Sequence, residues 1–156
     1  MWVPTTRSFP ASSRPCSRLR GPQTWRDPVI EPAVRERSFD GVAASIHGAR
    51  QFMSEIGAMP RSVKLYDVVL VVSELTTNAV IHAQTPFVVK VDVAADRVRV
   101  EVSDGNRQRP KVSDGALSAV GGRGLLIVDR LASAWGVVTT PAGKIVFAEF
   151  QSRAAE

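Results

Sequence analysis

The sequence predicts an α+β two-layer sandwich in which a mostly antiparallel sheet packs on about three helices. Residues 40–58 and 124–134 have the apolar pattern of helices, and residues 64–83 form a long stretch without a helix breaker. These three segments alternate with segments in which apolar and polar residues alternate one by one. Helical spacing gives a helix one apolar face, and period-two alternation gives a strand one apolar face. A helical layer packed on one side of a sheet buries both kinds of face, so this architecture follows.

The N-terminal part of the chain differs in composition from the rest. Residues 1–32 contain six of the ten prolines, with Ser, Thr and Arg between them, and are predicted to be a disordered basic tail. The length of 156 residues is that of one domain, which is expected to span residues 33–152. Its first element is predicted to be a short edge strand at Ala33–Phe39.

Two helices are expected next. Asp40 is a plausible N-cap for the first helix, which would run to about Ala58. Gly57 and Pro60 are the signals that end it. The second covers residues 64–83 and is ambiguous, because the run Val68–Val72 alone would indicate a buried strand. Its length of nearly 20 residues without a breaker favours one largely buried helix.

The second half of the chain predicts two hairpins with a loop and a helix between them. The first hairpin covers residues 87–102 and turns near residues 94–96, because valines alternate with polar residues on both sides of that turn. Residues 106–122 have few apolar anchors and are expected to form a long loop. A helix over 124–134 and a second hairpin, with strands at 134–140 and 144–151, complete the domain.

Charge and cysteine content limit the class of protein. The net charge is +5, but residues 1–37 hold seven arginines against three acids, so the folded part is nearly neutral. Direct nucleic-acid binding is therefore not expected, although a DNA-binding regulator that uses the tail remains an alternative. No apolar run is long enough for a membrane span or a secretory signal, and Cys16 is the single cysteine. A cytoplasmic protein without membrane contact is expected.

Three groups of residues could carry chemistry. Glu74, Asn78 and His82 are spaced at i, i+4 and i+8 on the second helix, so they form one polar stripe, which could also be a plain exposed face. Asp104-Gly105 ends a strand, where a carboxylate can accept a hydrogen bond from an exocyclic amine such as that of adenine, or where the pair simply turns the chain. Glycines at residues 121, 122 and 124 precede a helix and would let backbone approach a phosphate. A P-loop sequence is absent.

These groups together resemble a known family. Residues 73–83 (SELTTNAVIHA) resemble the N box of the Bergerat ATPases, residues 102–106 (VSDGN) their first glycine/aspartate box, and residues 121–132 (GGRGLLIVDRLA) the second. Trp135-Gly136 and residues 143–150 resemble the closing hairpin. Order and spacing are similar to the anti-sigma-factor serine kinase branch of these histidine-kinase-like ATPases, over roughly residues 38–151.

The resemblance implies a Bergerat fold with an ATP lid, the cofactors ATP and Mg²⁺, and a role for each site residue. Asn78 would ligate Mg²⁺ through its hard amide oxygen, and Glu74 would be the catalytic general base or orient the acceptor hydroxyl. His82 would lie near the nucleotide, although a structural role is equally compatible. The lid would be formed by residues 106–120. Asp104 would read the adenine amino group, Gly122 and Gly124 would shape the lid around the phosphates, and Arg123 could contact them. Gly105 and Leu125 would be further nucleotide-binding residues.

The implied function is that of an ATP-Mg-dependent serine/threonine-protein kinase. It would phosphorylate an anti-sigma antagonist, bind a sigma factor and so control transcription, and it could form a homodimer. Two departures from the family pattern bear on this. Asn106 stands where the wider family usually has a second glycine in the first box, a change that is also frequent in the anti-sigma branch and so favours that branch. Val120 stands where sporulation-type kinases have a basic residue. The alternative is an ATP-binding protein-interaction module with little or no kinase activity.

Overall fold

The computed structural model describes residues 30–109 and 123–151. Within them a five-stranded antiparallel sheet has the strand order β1-β2-β3-β5-β4, and three α-helices accompany it. This confirms the predicted fold class. The elements are β1 (Ala33–Phe39), α1 (Ala43–Ser54), α2 (Leu65–Asn78), β2 (Phe87–Val93), β3 (Arg97–Asp104), α3 (Arg123–Leu131), β4 (Ala134–Thr140) and β5 (Gly143–Gln151).

The core lies between the sheet and the helices. Alternate residues of the three inner strands are buried, as period-two patterning requires, and the buried faces of α1 and α2 pack on them. At one edge the rings of Phe39 and Phe87 stack with their centroids 5.5 Å apart. The fully buried large side chains of the core include Met53, Val68, Val71, Val72, Phe87, Val89, Val91, Val98, Val100, Val102, Leu125 and Val128.

Helix α2 decides the ambiguity over the run Val68–Val72. The run is helical, so the helix prediction for residues 64–83 is confirmed and the strand alternative is wrong. After Asn78 the chain does not stop but widens into one π-helical turn, Ala79–Ala83, which ends at Gln84 in the left-handed region with φ 55°. Such turns inside helices are often found at functional sites.

The start of α1 differs from the prediction, because Val42 and not Asp40 is the N-cap. The backbone carbonyl of Asp40 instead accepts a hydrogen bond of 2.8 Å from the Val42 N–H. At Gly41 the chain passes so close to Thr85 that a Cβ would lie 2.5 Å from the Thr85 carbonyl oxygen. This close approach holds the chain out of helical geometry until residue 42. The helix also ends earlier than predicted, at Ser54, ahead of Gly57 with φ +83°.

Both hairpins are confirmed. The β2–β3 turn is closed by a 2.8 Å hydrogen bond from the Ala94 N–H to the Arg97 carbonyl, and β4 pairs with β5 across Pro141-Ala142. The pairing of β3 with β5 places Asp104 opposite Lys144. Most of the predicted tail (1–29) and the greater part of the predicted loop and lid (110–122) lie outside the described residues. Within those described, no helix is long and apolar enough to cross a bilayer.

Candidate functional site

The first part of the site is formed where α2 meets the start of α3. Glu74 is half-buried on α2, and its Oε2 atom lies 2.7 Å from the position that a Cβ of Gly124 would occupy. Gly124 is the second residue of α3, so the carboxylate lies against the first turn of that helix, whose N–H groups favour a negative charge. Two of the predicted site residues, 50 positions apart in the chain, are thus neighbours.

Asn78 lies one helical turn beyond Glu74, at the last residue of α2. It is half-buried, and its side chain makes no hydrogen bond to the residues that the structure describes. Its amide oxygen is therefore available to a ligand. An amide oxygen and a nearby carboxylate are hard oxygen donors of the kind that Mg²⁺ takes together with substrate phosphates and water, so the residues present fit this ion. Within the described ranges, no three or more His, Cys, Asp or Glu side chains are arranged so that they could hold a metal ion by themselves.

The second part of the site is a buried ion pair at the end of β3. Lys144 Nζ lies 2.8 Å from Asp104 Oδ1, and the two side chains are only 6% and 3% exposed. Desolvation of two charges is costly unless geometry and further hydrogen bonds compensate it. Both are present here, because Asp104 Oδ1 also accepts from the Asn106 backbone N–H at 2.8 Å and Lys144 Nζ also donates to the Asn106 carbonyl at 3.1 Å.

Asn106 connects this pair to the helix that carries Asn78. Its Nδ2 donates a 2.9 Å hydrogen bond to the carbonyl of His82 in the π-helical turn, and its Oδ1 accepts one of 2.9 Å from the Gln108 N–H. A glycine at this position could make neither side-chain contact. The departure noted in the sequence is thus a structural link between the end of β3 and the end of the helix.

The Asp104-Gly105 turn is packed closely from two sides. The Gly105 N–H donates a 2.9 Å hydrogen bond to Thr85 Oγ1, and a Cβ on Gly105 would lie 3.1 Å from that side chain. On the other side, a Cβ on Gly143 would overlap the carbonyl oxygen of Asp104. The position of the Asp104 carboxylate is therefore determined by packed backbone as well as by hydrogen bonds.

The remaining predicted residues have different environments. His82 is exposed and contributes its backbone carbonyl, while Arg123 is exposed at the first residue of α3. The Leu125 side chain is 1% exposed within the core, so contact with a nucleotide would have to come from its backbone. Gly122 and Val120 lie outside the described residues.

Sequence reasoning missed Lys144, Thr85 and the linking role of Asn106. The sequence did contain a signal for Lys144. Its side chain lies on the core-facing side of β5, in the same alternating set as Val146, Ala148 and Phe150. A lysine among core-facing residues needs an acidic partner. The contact of Thr85 with Gly105 joins residues 20 apart and has no local signal.

Comparison with known proteins identifies the family of this domain. A family model for the histidine kinase-like ATPase domain matches residues 40–150. The chain belongs to this family. The resemblance to the histidine-kinase-like ATPases, drawn from the three sequence boxes, is therefore confirmed at the level of the family.

A solved structure similar to this histidine kinase-like ATPase domain contains the RsbU and RsbW domains of Rv1364c from Mycobacterium tuberculosis. The TM-score is 0.57 with 23% sequence identity over 79% of this chain, which shows a shared fold. The match covers 34% of that longer chain, so it concerns one part of it. No curated protein matches the sequence.

Proposed function

We propose that this domain binds ATP with Mg²⁺ and acts as a regulatory serine/threonine-protein kinase of the anti-sigma-factor type. The observation that carries the proposal is the contact between Glu74 on α2 and Gly124 at the start of α3. It brings the acidic residue of the N box to the helix start that a phosphate chain would approach. Membership of the histidine kinase-like ATPase family supports the same assignment.

Each end of the nucleotide would meet a different part of the site. Asp104 would accept a hydrogen bond from the adenine amino group, on the turn formed with Gly105. The first N–H groups of α3 would face the phosphates, with Arg123 adding positive charge. Asn78 would hold Mg²⁺, which when bound neutralises charge that develops on the phosphates. His82 would contribute by fixing Asn106 through its carbonyl.

In the phosphoryl-transfer step, Glu74 would act as the general base. The hydroxyl oxygen of a partner's serine or threonine would attack the γ-phosphorus, while the bond from that phosphorus to the bridging oxygen breaks and ADP leaves. Glu74 would orient the hydroxyl and accept its proton. The partner would be an anti-sigma antagonist, and a sigma factor would bind the same protein, so that exchange between them sets transcription in the cytoplasm.

Calorimetric titration of the full chain with ATP-Mg²⁺ tests the nucleotide site. Micromolar binding is expected, and Asn78→Ala and Asp104→Ala should each weaken it about tenfold or more, because each loses a contact to a charged or buried group. Thr77→Ala and Asp92→Ala are matched controls, since the first precedes Asn78 on the same helix and the second lies on the half-buried outer face of β2. A folded wild-type protein that does not bind ATP would refute the proposal.

Phosphoryl transfer needs a separate test. With labelled ATP and a candidate antagonist, the wild type should label a serine or threonine of the partner. Glu74→Gln should reduce the rate at least a hundredfold while ATP affinity changes little, because general-base catalysis contributes about 10²–10⁴-fold. ATP binding without transfer to the antagonist that the protein binds would identify it as an interaction module instead.

A further inference from the structure

The buried ion pair has hydrogen-bonding capacity that its protein neighbours leave unused. An ammonium group has three donors, and Lys144 uses one toward Asp104 Oδ1 and one toward the Asn106 carbonyl. A carboxylate oxygen has about two acceptor sites, and Oδ1 fills both with Lys144 and the Asn106 N–H. Oδ2 accepts no hydrogen bond from the described residues. One N–H of Lys144 and the Oδ2 atom of Asp104 therefore remain without a partner among the described residues.

Oδ2 is nevertheless not sealed away from solvent. No buried side-chain oxygen or nitrogen in the described part of the chain lacks a hydrogen-bond partner. Since Oδ2 has none there, it keeps some accessible surface although the Asp104 side chain as a whole is only 3% exposed. A polar group in such a setting loses much of its hydration and gains from a ligand that matches it.

From this arrangement we propose that Lys144 is a base-reading residue, which donates its third N–H to ring nitrogen N1 of adenine beside the Asp104 contact. The proposal rests on the proposed function, because it takes Asp104 as the acceptor for the 6-amino group. The Watson–Crick edge of adenine presents a donor at the 6-amino group and an acceptor at N1. An adjacent carboxylate oxygen and ammonium group match these two atoms in that order.

The same pair would reject a 6-oxo purine in this orientation. Hypoxanthine and guanine present an oxygen at C6 and an N–H at N1, so the oxygen would face the carboxylate and the N–H would face the ammonium. Sites that form hydrogen bonds in a buried setting reject such mismatched ligands strongly, because their own groups are left unpaired. Lys144 would thereby help to determine the choice of ATP over ITP and GTP.

The decisive experiment changes one atom of the ligand and one residue of the protein. ATP and 1-deaza-ATP, in which N1 is replaced by C–H, are titrated into the full-length wild type and into Lys144→Met. The wild type should bind 1-deaza-ATP about tenfold or more weakly than ATP, as expected for losing a hydrogen bond to a charged group. In Lys144→Met the two ligands should bind equally, because the donor for N1 is gone.

A second variant keeps the test valid if Lys144→Met does not fold. Lys144→Met leaves Asp104 as a buried unpaired carboxylate, whereas Lys144→Met combined with Asp104→Asn leaves no uncompensated charge. Circular dichroism would verify that both are folded. The double variant should also bind ATP and 1-deaza-ATP equally, while Asp104→Asn alone should still distinguish them.

The possible outcomes distinguish failure of the Lys144 role from failure of the proposed ATP-binding function. If the folded wild type binds no ATP, the proposed function fails. If it binds ATP but the preference over 1-deaza-ATP persists without Lys144, the nucleotide site stands and the role of Lys144 is wrong. Equal binding of ATP and ITP by the wild type would also overturn that role.

Discussion

Two glycines of the candidate site have close neighbours that differ in rigidity. A Cβ on Gly143 would meet rigid backbone, since it would overlap the Asp104 carbonyl oxygen and lie 2.9 Å from the Gly105 Cα. A Cβ on Gly124 would meet Glu74 Oε2, which is the end of a flexible side chain. The first substitution must move main chain where the start of β5 meets the end of β3, whereas the second needs only a new rotamer of Glu74.

We therefore predict that Gly143→Ala costs about 3 kcal/mol of unfolding free energy, toward the upper end for an overpacked site. Gly124→Ala should stay within about 1 kcal/mol, because the gain in helix propensity offsets the displaced carboxylate. Urea unfolding of both variants measures the difference. Equal losses would contradict this assignment of rigid and flexible neighbours.

The residues of the candidate site differ in how strongly the sequence signals them. Glu74, Asn78 and Asp104 stand out because they interrupt apolar patterns or end a strand, which is local information. Their environment depends on tertiary contacts, such as that of Glu74 with Gly124 and that of Asp104 with Lys144. Packing between elements far apart in the chain decided these contacts.

At the scale of single elements, the strands were predicted more accurately than the helix ends. Alternation of valines with polar residues is a strong signal, and the predicted strand at Ala33–Phe39 has the same bounds in the structure. Helix ends depend on capping residues. Asp40 is of a residue type that often caps helices, but it lies two residues before the N-cap of α1, which is Val42. The tight approach of Gly41 to Thr85 moved the helix start, and nothing near Gly41 in the sequence signals that contact.

The N-cap of α1 offers a way to stabilise the domain. Val42 has extended geometry, with φ −122° and ψ 153°, but its side chain cannot accept a hydrogen bond from the first turn, and it is 53% exposed. Val42→Ser should increase the unfolding free energy by about 1 kcal/mol, because a hydroxyl at this position accepts from a free N–H. Val42→Ala is the control without an acceptor. If thermal unfolding shows no difference between Ser and Ala, the capping argument fails.

On the scale of the whole molecule, the two parts of the candidate site are connected through the central strands. Asp104 ends β3, which pairs with β2 on one side and β5 on the other. Asn106 then joins β3 to the π-helical turn that follows α2. A ligand held by Asp104 and Asn78 would contact both layers of the sandwich and stabilise them together.

This coupling predicts a metal-dependent increase in melting temperature. ATP-Mg²⁺ at a hundred times its dissociation constant should add about 2.7 kcal/mol, which raises the melting temperature by roughly 10 °C for a domain of this size. ATP with EDTA should give a clearly smaller rise in the wild type. In Asn78→Ala the two conditions should give the same rise, since the ligand for the metal is missing. An equal rise with and without metal in the wild type would contradict the role of Asn78.

The Asp104–Lys144 pair also has a consequence for how freely the intervening chain can change in length. The two residues are 40 positions apart and face each other in register, so their pairing closes a loop that contains residues 110–122. The entropy of closing a flexible loop grows only with the logarithm of its length, at about 0.6 kcal/mol for each doubling. Insertions between residues 109 and 123 would therefore cost the fold little. A chain with the same sheet could therefore differ in length between residues 109 and 123 while the Asp104–Lys144 pair stays in place.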